Sequence, residues 1–323
     1  MPTETVYGLA APYDDVRAVA AVYEAKRRPH FDPLIVHLAS SSGLEAVADL
    51  SGFSDTERRT LEVLVQDVWP GPLTLVLPKR AVVPDLVTSG HATVAVRCPD
   101  HAVARGLIEL LGRPVVAPSA NVFGRVSPTA ASHVVDELGD CVVGVLDGGP
   151  CPVGVESTIV QMLPGAAPVL LRPGGLPLER LRETLGEVAT SMAGDRIIAP
   201  GQLAHHYAPA TAMVCWSESV AELSDAVLEE RLAGQREPVA LLVFADLDGA
   251  LARRVARRVA ADVRVVPLSL DGSWVSVAHR LFATLREADA SDCTRIVVEG
   301  LPRDHGLAPA VHDRITRASR GRL

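Results

Sequence analysis

The stretch Lys26–His37, KRRPHFDPLIVH, joins two different structural patterns and places charged residues between them. The residues before it carry apolar side chains at helical spacing, among them Val19 and Tyr23. The run PLIVHL that ends it is short, apolar and β-branched, which is typical of a strand. The sequence therefore predicts a helix–loop–strand unit with Lys26 and Arg28 at the end of the helix.

The cations in this loop have two explanations that the residues alone leave open. Positive side chains at the C-terminal end of a helix interact favourably with the helix dipole, which would be a purely structural role. Alternatively, a lysine ammonium and an arginine guanidinium are suited to bind a phosphate or a carboxylate. Two prolines in the loop, Pro29 and Pro33, would keep such an anion site rigid.

Outward from this loop, the first half of the chain mixes strand and helix patterns. Ser54 with Glu57 three residues later predicts a capped helix start. Predicted helices cover 14–28, 54–69, 101–112, 127–139 (opened by Ser-Pro) and 176–186, and predicted strands cover 33–38, 72–78, 92–99, 113–121, 141–149, 157–163 and 167–174.

The second half alternates short β-type runs with helical patterns. Predicted strands cover 211–216, 238–245, 263–270 and 294–301, and predicted helices cover 219–235, 250–262, 273–288 and 308–320. Such alternation favours a Rossmann-like, largely parallel sheet. We predict a mixed α/β domain over 1–190, a linker or lid over 191–210, and a smaller Rossmann-like domain over 211–323.

Composition narrows the function classes. The net charge of −8 argues against a strong direct nucleic-acid surface. The five dispersed cysteines contain no C-x-x-C pair, which indicates reduced thiols rather than a disulfide framework or a cysteine metal site. We find no membrane-length apolar run and no signal-peptide pattern, so we expect a soluble cytoplasmic protein.

Polar residues gather in loops that follow apolar strands. Pro118–Asn121, Gly124–Pro128 and Gly154–Thr158 are three such loops, and Arg97 and Arg172 each end a strand pattern. Each could be an ordinary turn or rim residue. Taken together, hydroxyls, amides and cations without a nucleophile–histidine pair favour positioning of a polyanion over covalent catalysis.

Two other features receive structural interpretations. Neighbouring histidines at 205–206 would point apart in an extended chain, so we predict no metal bound by protein side chains. The arginines of 250–262 at i,i+4 spacing indicate a solvated helix face rather than an RNA-binding patch.

The chain carries a series of motifs in fixed order: PTETVYGL, KRRPHFDPLIVH, WPGPLTLVL, TVAVRCPDH, APSAN, GRVSPT, GVESTIV, LLRPG and, in the linker, HHYAP. This series resembles that of the YrdC-type threonylcarbamoyl-AMP synthases in their long, two-domain form. Each motif is modest alone, but the ordered series spans nearly the whole chain and is specific. The resemblance implies a twisted mixed sheet with flanking helices, followed by an α/β extension.

The resemblance also implies the activity. Such enzymes condense L-threonine, bicarbonate and ATP, with Mg²⁺, into threonylcarbamoyl-AMP and pyrophosphate. A downstream tRNA threonylcarbamoyl transferase then modifies an adenosine next to the anticodon.

The family's site residues map onto three groups in this sequence. The implied catalytic set is Lys26, Arg28, Ser119 and Asn121. The implied threonine contacts are Thr5, His37, Arg97, Ala117 and Ser157. The implied ATP contacts are Arg28, Asp32, Thr93, Ser119, Ser127, Arg172, His206 and Tyr207, the last two closing over the site from the linker.

The chain departs from the family pattern in three places. Arg27 stands where the family commonly has glycine, and GLAA replaces GLGA. Family members usually carry a helix and a strand before PTET, so we expect the N-terminal strand to be missing here. Neither substitution removes a side chain implied to contact substrate, whereas a missing first strand would put stability and activity in doubt.

Two alternatives from other classes remain open. An RNA-binding or translation-associated YrdC-like module is disfavoured by the negative charge and the lack of a basic or aromatic stripe. A carbamoyltransferase of the same fold is disfavoured because such relatives tend to carry paired C-x-x-C zinc-finger segments.

Overall fold

A computed structural model describes residues 1–190, 198–201, 203, 206–232, 238–259, 262–303 and 305–320. The chain divides into two compact units. The first comprises 1–123 and 127–203, and the second comprises 124–126 and 204–323. The change at 203/204 falls inside the predicted linker, of which 191–197, 202 and 204–205 lie outside the described residues.

The first unit is built on an eight-stranded mixed sheet. Its strands are β1 (Ala11–Pro12), β2 (Ile35–His37), β3 (Leu73–Pro78), β4 (Thr93–Arg97), β5 (Val115–Val116), β6 (Thr158–Gln161), β7 (Val169–Arg172) and β8 (Ala189–Thr190), in the spatial order β1-β5-β2-β4-β3-β6-β7-β8. The parallel pairs are β2/β4, β3/β6 and β7/β8, and the remaining neighbours are antiparallel. The mixed α/β fold predicted for this part of the chain is confirmed.

The helices of this unit are α1 (Val16–Ala25), α2 (Leu44–Val47), α3 (Asp55–Val68), α4 (Asp85–Thr88), α5 (Ala102–Leu111), α6 (Ala131–Leu138) and α7 (Leu178–Leu185). The predicted capping box forms: the Ser54 hydroxyl accepts from the Glu57 amide at 3.3 Å, and the Glu57 carboxylate accepts from the Ser54 amide at 2.7 Å. The apolar face of α3 then packs into an aliphatic core under the central strands β3 and β4.

The second unit contains a four-stranded parallel sheet. Its strands β9 (Ala212–Cys215), β10 (Val239–Ala245), β11 (Val263–Ser269) and β12 (Arg295–Val298) lie in the order β11-β10-β12-β9. The helices are α8 (Asp225–Leu232), α9 (Ala250–Arg258), α10 (Trp274–Ala290) and α11 (Ala308–Ser319). A parallel sheet with intervening helices confirms the predicted Rossmann-like pattern.

The short segment 124–126 belongs to this second unit although the first unit surrounds it in sequence. The Ala208 amide donates to the Gly124 carbonyl at 2.8 Å, and the Arg286 guanidinium donates to the Val126 carbonyl. The GRVSPT motif is therefore divided between the two units, which the sequence pattern did not predict.

Several predicted elements were wrong. The strand expected over 141–149 is absent: this described segment is irregular and largely exposed, and Val143 is fully exposed. The helix expected from Ser127 begins only at Ala131, and the buried Ser127 hydroxyl donates to the Glu156 carboxylate at 2.5 Å. The two-residue strands β1 and β8 carry no periodic signal and were missed.

Among the described residues, no helix combines the length and the apolar character that a membrane crossing requires.

Candidate active site

Lys26 lies at the C-terminal end of α1, where it is fully buried. Its ammonium donates to the backbone carbonyls of Ser119 and of Asn121, the latter at 2.5 Å. In return the Phe123 amide donates to the Lys26 carbonyl at 2.8 Å. The structure thus brings Lys26 against the loop that carries Ser119 and Asn121, although through backbone oxygens rather than through those two side chains.

Burial governs the charge state of Lys26. Desolvation, followed by the nearby Arg28 cation, lowers the Lys26 pKa well below its usual range, while Asp32 and Glu137 oppose the shift. An anion that entered beside this ammonium would favour its charged form.

Arg28 and Asp32, four residues apart in the loop after α1, form a buried ion pair. The guanidinium lies 2.9 Å from the Asp32 carboxylate and also donates to the carbonyls of Asp32 and Pro33 at 3.2 and 2.9 Å. Burial raises the pKa of the Asp32 carboxyl, and the cations Arg28, Lys26 and Arg172 oppose that rise. Arg28 also lies 5.9 Å from the Phe123 ring centroid.

Thr93 is the first residue of β4 and the register partner of Pro78 on β3. Because Ile35 pairs with Ala95 in the parallel ladder of β2 and β4, Thr93 at the start of β4 is level with residue 33 in the loop. The two ends of β4 therefore serve different groups: Thr93 lies toward the Arg28 loop and Arg97 lies at the other end.

Arg97 is the centre of the second group. Its guanidinium donates to the Thr5 hydroxyl at 2.8 Å and to the Gly71 carbonyl at 3.3 Å, and it lies 2.7 Å from the Glu4 carboxylate. In the sheet it is the register partner of both His37 and Thr74. The predicted threonine contacts Thr5, His37 and Arg97 are therefore neighbours.

His37 is buried and uncharged in this environment. Desolvation, followed by the Arg97 cation, lowers its pKa to about 3. Its Nδ1 lies 3.1 Å from the Ile35 carbonyl. A carbonyl can only accept, so the proton of the neutral ring belongs on Nδ1, and Nε2 is an acceptor.

Ser157 joins the threonine group to Arg172. Its hydroxyl lies 2.7 Å from that of Thr74, and Arg172 donates to both the carbonyl and the hydroxyl of Ser157 at 2.8 and 3.2 Å. Arg172 also donates to the carbonyl of Pro200, a residue of the predicted linker, at 3.1 Å. The close approach of residue 174 to the Ser157 backbone requires glycine, because a Cβ on Gly174 would lie 2.3 Å from the Ser157 carbonyl carbon.

Two further predicted residues lie close to these groups along the chain. Ala117 is buried at the end of β5, and its amide donates to the Ile35 carbonyl at 3.2 Å. The close approach of residues 7–9 to it requires glycine, since a Cβ on Gly8 would lie 2.9 Å from that of Ala117. Ser127 is buried and donates to Glu156, the residue before Ser157.

His206 and Tyr207 belong to the second unit. The Tyr207 ring is buried, lies 5.6 Å from the Phe282 ring on α10, and lies 5.3 Å from the Arg314 guanidinium on α11. His206 packs edge-on against Tyr207 at 4.1 Å. Their predicted contact with ATP is not tested by these contacts and stays a prediction.

Sequence reasoning missed Glu4 as a partner of Arg97, and it missed Thr74 beside Ser157. Glu4 stands in the PTET motif, where only Thr5 was assigned. Its signal was a carboxylate between two hydroxyl residues, but nothing in the sequence reveals that Arg97 lies against it.

The described carboxylates, cysteines and histidines include no group of three or more that could hold a metal ion. The unit instead presents two linked polar groups: cations at the end of α1, and an arginine–hydroxyl cluster at the ends of β4 and β6. This arrangement of polar groups on a mixed sheet is the one expected for a YrdC-like fold.

The comparisons with known proteins specify the family. A family model of Sua5, YciO and YrdC proteins, described as telomere recombination, matches residues 1–174. The model of the threonylcarbamoyl-AMP synthase C-terminal domain matches residues 176–320. The chain belongs to the threonylcarbamoyl-AMP synthase family in its two-domain form.

Curated relatives match along the whole chain. The threonylcarbamoyl-AMP synthase of Pyrococcus abyssi is 39% identical over 330 residues, which cover 100% of this chain and 90% of that protein. The Bacillus subtilis enzyme is 36% identical over 327 residues, covering 100% and 89%. The crystal structure of P. abyssi Sua5 complexed with L-threonine has a TM-score of 0.85 at 38% identity, covering 99% of this chain and 89% of that one.

Proposed function

We propose that this protein is an L-threonylcarbamoyladenylate synthase, a nucleotidyltransferase that forms threonylcarbamoyl-AMP and pyrophosphate from L-threonine, bicarbonate and ATP. The observation that carries the proposal is the convergence of the two residue groups in one unit. Ser157 and Arg172 are hydrogen-bonded to each other, and the Arg172 charge also acts on Asp32 beside Arg28. Full-length relatives with this name support the proposal.

Threonine binding is assigned to the group around Arg97. The buried guanidinium would bind the substrate carboxylate, for which an arginine is the preferred partner. The neutral ring of His37 is suited to accept, at Nε2, a hydrogen bond that the threonine hydroxyl donates. A site that hydrogen-bonds a substrate hydroxyl discriminates strongly against analogues that lack it. The complex of P. abyssi Sua5 with L-threonine supports L-threonine as the ligand.

ATP binding is assigned to the group around Lys26 and Arg28. In the proposed reaction the threonine amine adds to bicarbonate, with loss of water, to give a carbamate. A carbamate oxygen then attacks the α-phosphorus, and the bond to pyrophosphate breaks. Two anions approach each other in this step, so fixed cations that neutralise charge in line with the displacement lower its barrier.

The buried cations hold protein partners: carbonyls for Lys26, Asp32 for Arg28, and Ser157 for Arg172. These partners fix the positions of the side chains, which is the preorganisation that electrostatic catalysis needs. Phosphate oxygens would add to these contacts or replace some of them.

Mg²⁺ is part of the proposal as an ion carried by ATP. The carboxylate nearest to the assigned phosphate site, Asp32, is already paired with Arg28, so the residues present fit an ion held mainly by phosphate oxygens. When bound, it would neutralise phosphate charge. Lys26 and Arg28 remain the residues of this chain that orient the phosphates.

The product defines the cellular context that we propose. Threonylcarbamoyl-AMP is a mixed anhydride that water destroys, so a downstream tRNA threonylcarbamoyl transferase must consume it. We place the protein in the cytoplasm with that partner, and we assign it no membrane partner and no strong nucleic-acid surface of its own. A lid role for the linker, which would keep the carbamate from water, belongs to the same proposal.

The test is pyrophosphate release from ATP, measured with and without L-threonine and bicarbonate. We expect release only when both are present. Release that is independent of threonine would refute the proposal and favour a carbamoyltransferase or another ATP-using activity. Absence of any release, together with tight RNA binding, would favour the translation-associated alternative.

Lys26→Met and Arg28→Met identify the phosphate site in the same assay. Methionine keeps most of the buried volume, so the fold should persist, while loss of a transition-state cation should reduce turnover at least about 100-fold. The matched control is Arg27→Met, because Arg27 lies between them in sequence but is exposed. Rates near wild type in Lys26→Met or Arg28→Met would place the phosphate site elsewhere.

A further inference from the structure

Glu4 is a buried carboxylate for which neither the sequence motifs nor the fold provides a role. It is 5% exposed, and it lies 2.7 Å from the Arg97 guanidinium, which is 4% exposed. Its backbone is fixed by the Val153 amide, which donates to the Glu4 carbonyl at 2.8 Å. The side chain is therefore held in place beside the centre of the assigned threonine site.

The Glu4–Arg97 pair leaves hydrogen-bonding capacity unused. Despite the short separation, the two groups are not aligned for a hydrogen bond. Within the described part of the chain, both Glu4 oxygens and Arg97 Nη2 lack a hydrogen-bond partner. Buried polar atoms are nearly always hydrogen-bonded, and leaving a charged one unsatisfied is costly. A buried carboxylate with spare acceptor capacity beside the assigned site is suited to accept from a cationic group of a ligand.

The unused groups have the polarity of an amino acid. Arg97 Nη2 offers a cationic donor, and the Glu4 carboxylate beside it offers anionic acceptors. The two charged groups of an α-amino acid zwitterion, one carboxylate and one ammonium on the same α-carbon, are complementary to this arrangement. Glu156, the other described buried carboxylate near Ser157, already accepts from Ser127.

We propose that Glu4 binds the α-ammonium of the substrate amino acid while Arg97 binds its carboxylate. The inference rests on the proposed function, because it takes L-threonine as the ligand. It explains how the site selects an α-amino acid over a hydroxy acid of the same shape. It also places the nitrogen that must become a carbamate at a fixed position.

A purely structural role for Glu4, as a counter-ion that holds Arg97, makes a different prediction. In that case every ligand with a carboxylate would lose affinity equally when Glu4 is changed. If Glu4 binds the ammonium, only ligands with an amine would lose affinity. The two roles are distinguished by the ratio of the affinity for a ligand that has the amine to the affinity for a ligand that lacks it.

The experiment measures, by calorimetry, binding of L-threonine and of 3-hydroxybutanoate with matching hydroxyl configuration, which lacks only the amine. We expect the wild-type protein to bind threonine more tightly than 3-hydroxybutanoate. Glu4→Gln should weaken threonine binding about 10- to 100-fold, the effect of losing a charge-assisted hydrogen bond. The affinity of the variant for 3-hydroxybutanoate should stay close to that of wild type. Equal weakening of both ligands, or no weakening, would overturn the inference.

Two further measurements keep the test decisive. Glu299→Gln, which changes a buried carboxylate of the second unit, is the matched control and should leave the affinity ratio unchanged. If Glu4→Gln does not fold, wild type alone decides, since equal affinity for both ligands would exclude an ammonium acceptor. Wild type that binds no threonine at all would instead refute the proposed function.

Discussion

The buried neutral His37 makes the stability of the first unit depend on pH in a way that can be calculated. Its folded pKa of about 3 lies far below the ordinary value of about 6.5 expected in the unfolded chain. Between these two pKa values, His37 is protonated in the unfolded state and neutral in the folded state. The stability that His37 contributes is fully present above pH 6.5 and is lost as the pH falls toward 3.

Between pH 7 and pH 5 the unfolded histidine becomes almost fully protonated while the folded one stays neutral. This difference amounts to about 2 kcal/mol of unfolding free energy. The value does not depend on the exact folded pKa as long as that pKa stays below about 4. His37→Gln should abolish this part of the pH dependence, because an amide does not titrate and can still donate to the Ile35 carbonyl.

The assay is urea unfolding at pH 5, 6 and 7, followed by the fluorescence of Trp69. Trp69 is buried in the first unit and donates to the Leu73 carbonyl at 2.8 Å, so it reports this unit. Trp216→Phe and Trp274→Phe, both in the second unit, would remove the other tryptophan signals. Parallel pH profiles for the wild-type and His37→Gln backgrounds would refute the reasoning.

Two other predictions follow from the geometry. Arg27 is exposed and adopts a left-handed φ of 50°, a conformation that costs a residue with a Cβ about 1–2 kcal/mol. Glycine avoids this cost but loses about 0.5–1 kcal/mol more in backbone entropy on folding. Arg27→Gly should therefore raise the unfolding free energy of the first unit by about 0.5–1 kcal/mol, measured by Trp69 fluorescence. Arg27→Ala keeps the left-handed cost and should give no gain; equal midpoints for the two variants would contradict this explanation. Phe282→Leu removes the stack on Tyr207 and should lower the unfolding free energy of the second unit by about 1–2 kcal/mol, read from Trp216 fluorescence; an unchanged denaturant midpoint would contradict that contact.

Local signals predicted the parts of the fold that local physics determines. The Ser54–Glu57 capping box and the strands that end at Arg97 and Arg172 formed as expected, because capping and apolar strand patterns act over a few residues. The strand prediction over 141–149 was wrong because this described segment pairs with no strand: Val143 is exposed, while Val142 and Val145 pack partly buried against a neighbouring cluster. An apolar pattern alone cannot reveal whether a neighbouring strand exists.

The candidate site was predicted from ordered motifs, while its internal pairing required the structure. The proximity of His37 to Arg97 follows from strand register, which the sequence does not provide. The same holds for Glu4 against Arg97, since residues far apart in sequence meet only in the folded sheet. The assignment of 124–126 to the second unit likewise depends on backbone contacts that have no sequence pattern.

The central claim is that one site joins threonine, bicarbonate and the adenylyl group of ATP. The most direct test incubates the protein with ATP, Mg²⁺, L-threonine and ¹³C-labelled bicarbonate and identifies the nucleotide product by mass spectrometry. The account predicts threonylcarbamoyl-AMP that carries the ¹³C label and forms together with pyrophosphate. A product that lacks either the label or the threonine, such as AMP alone, would contradict it.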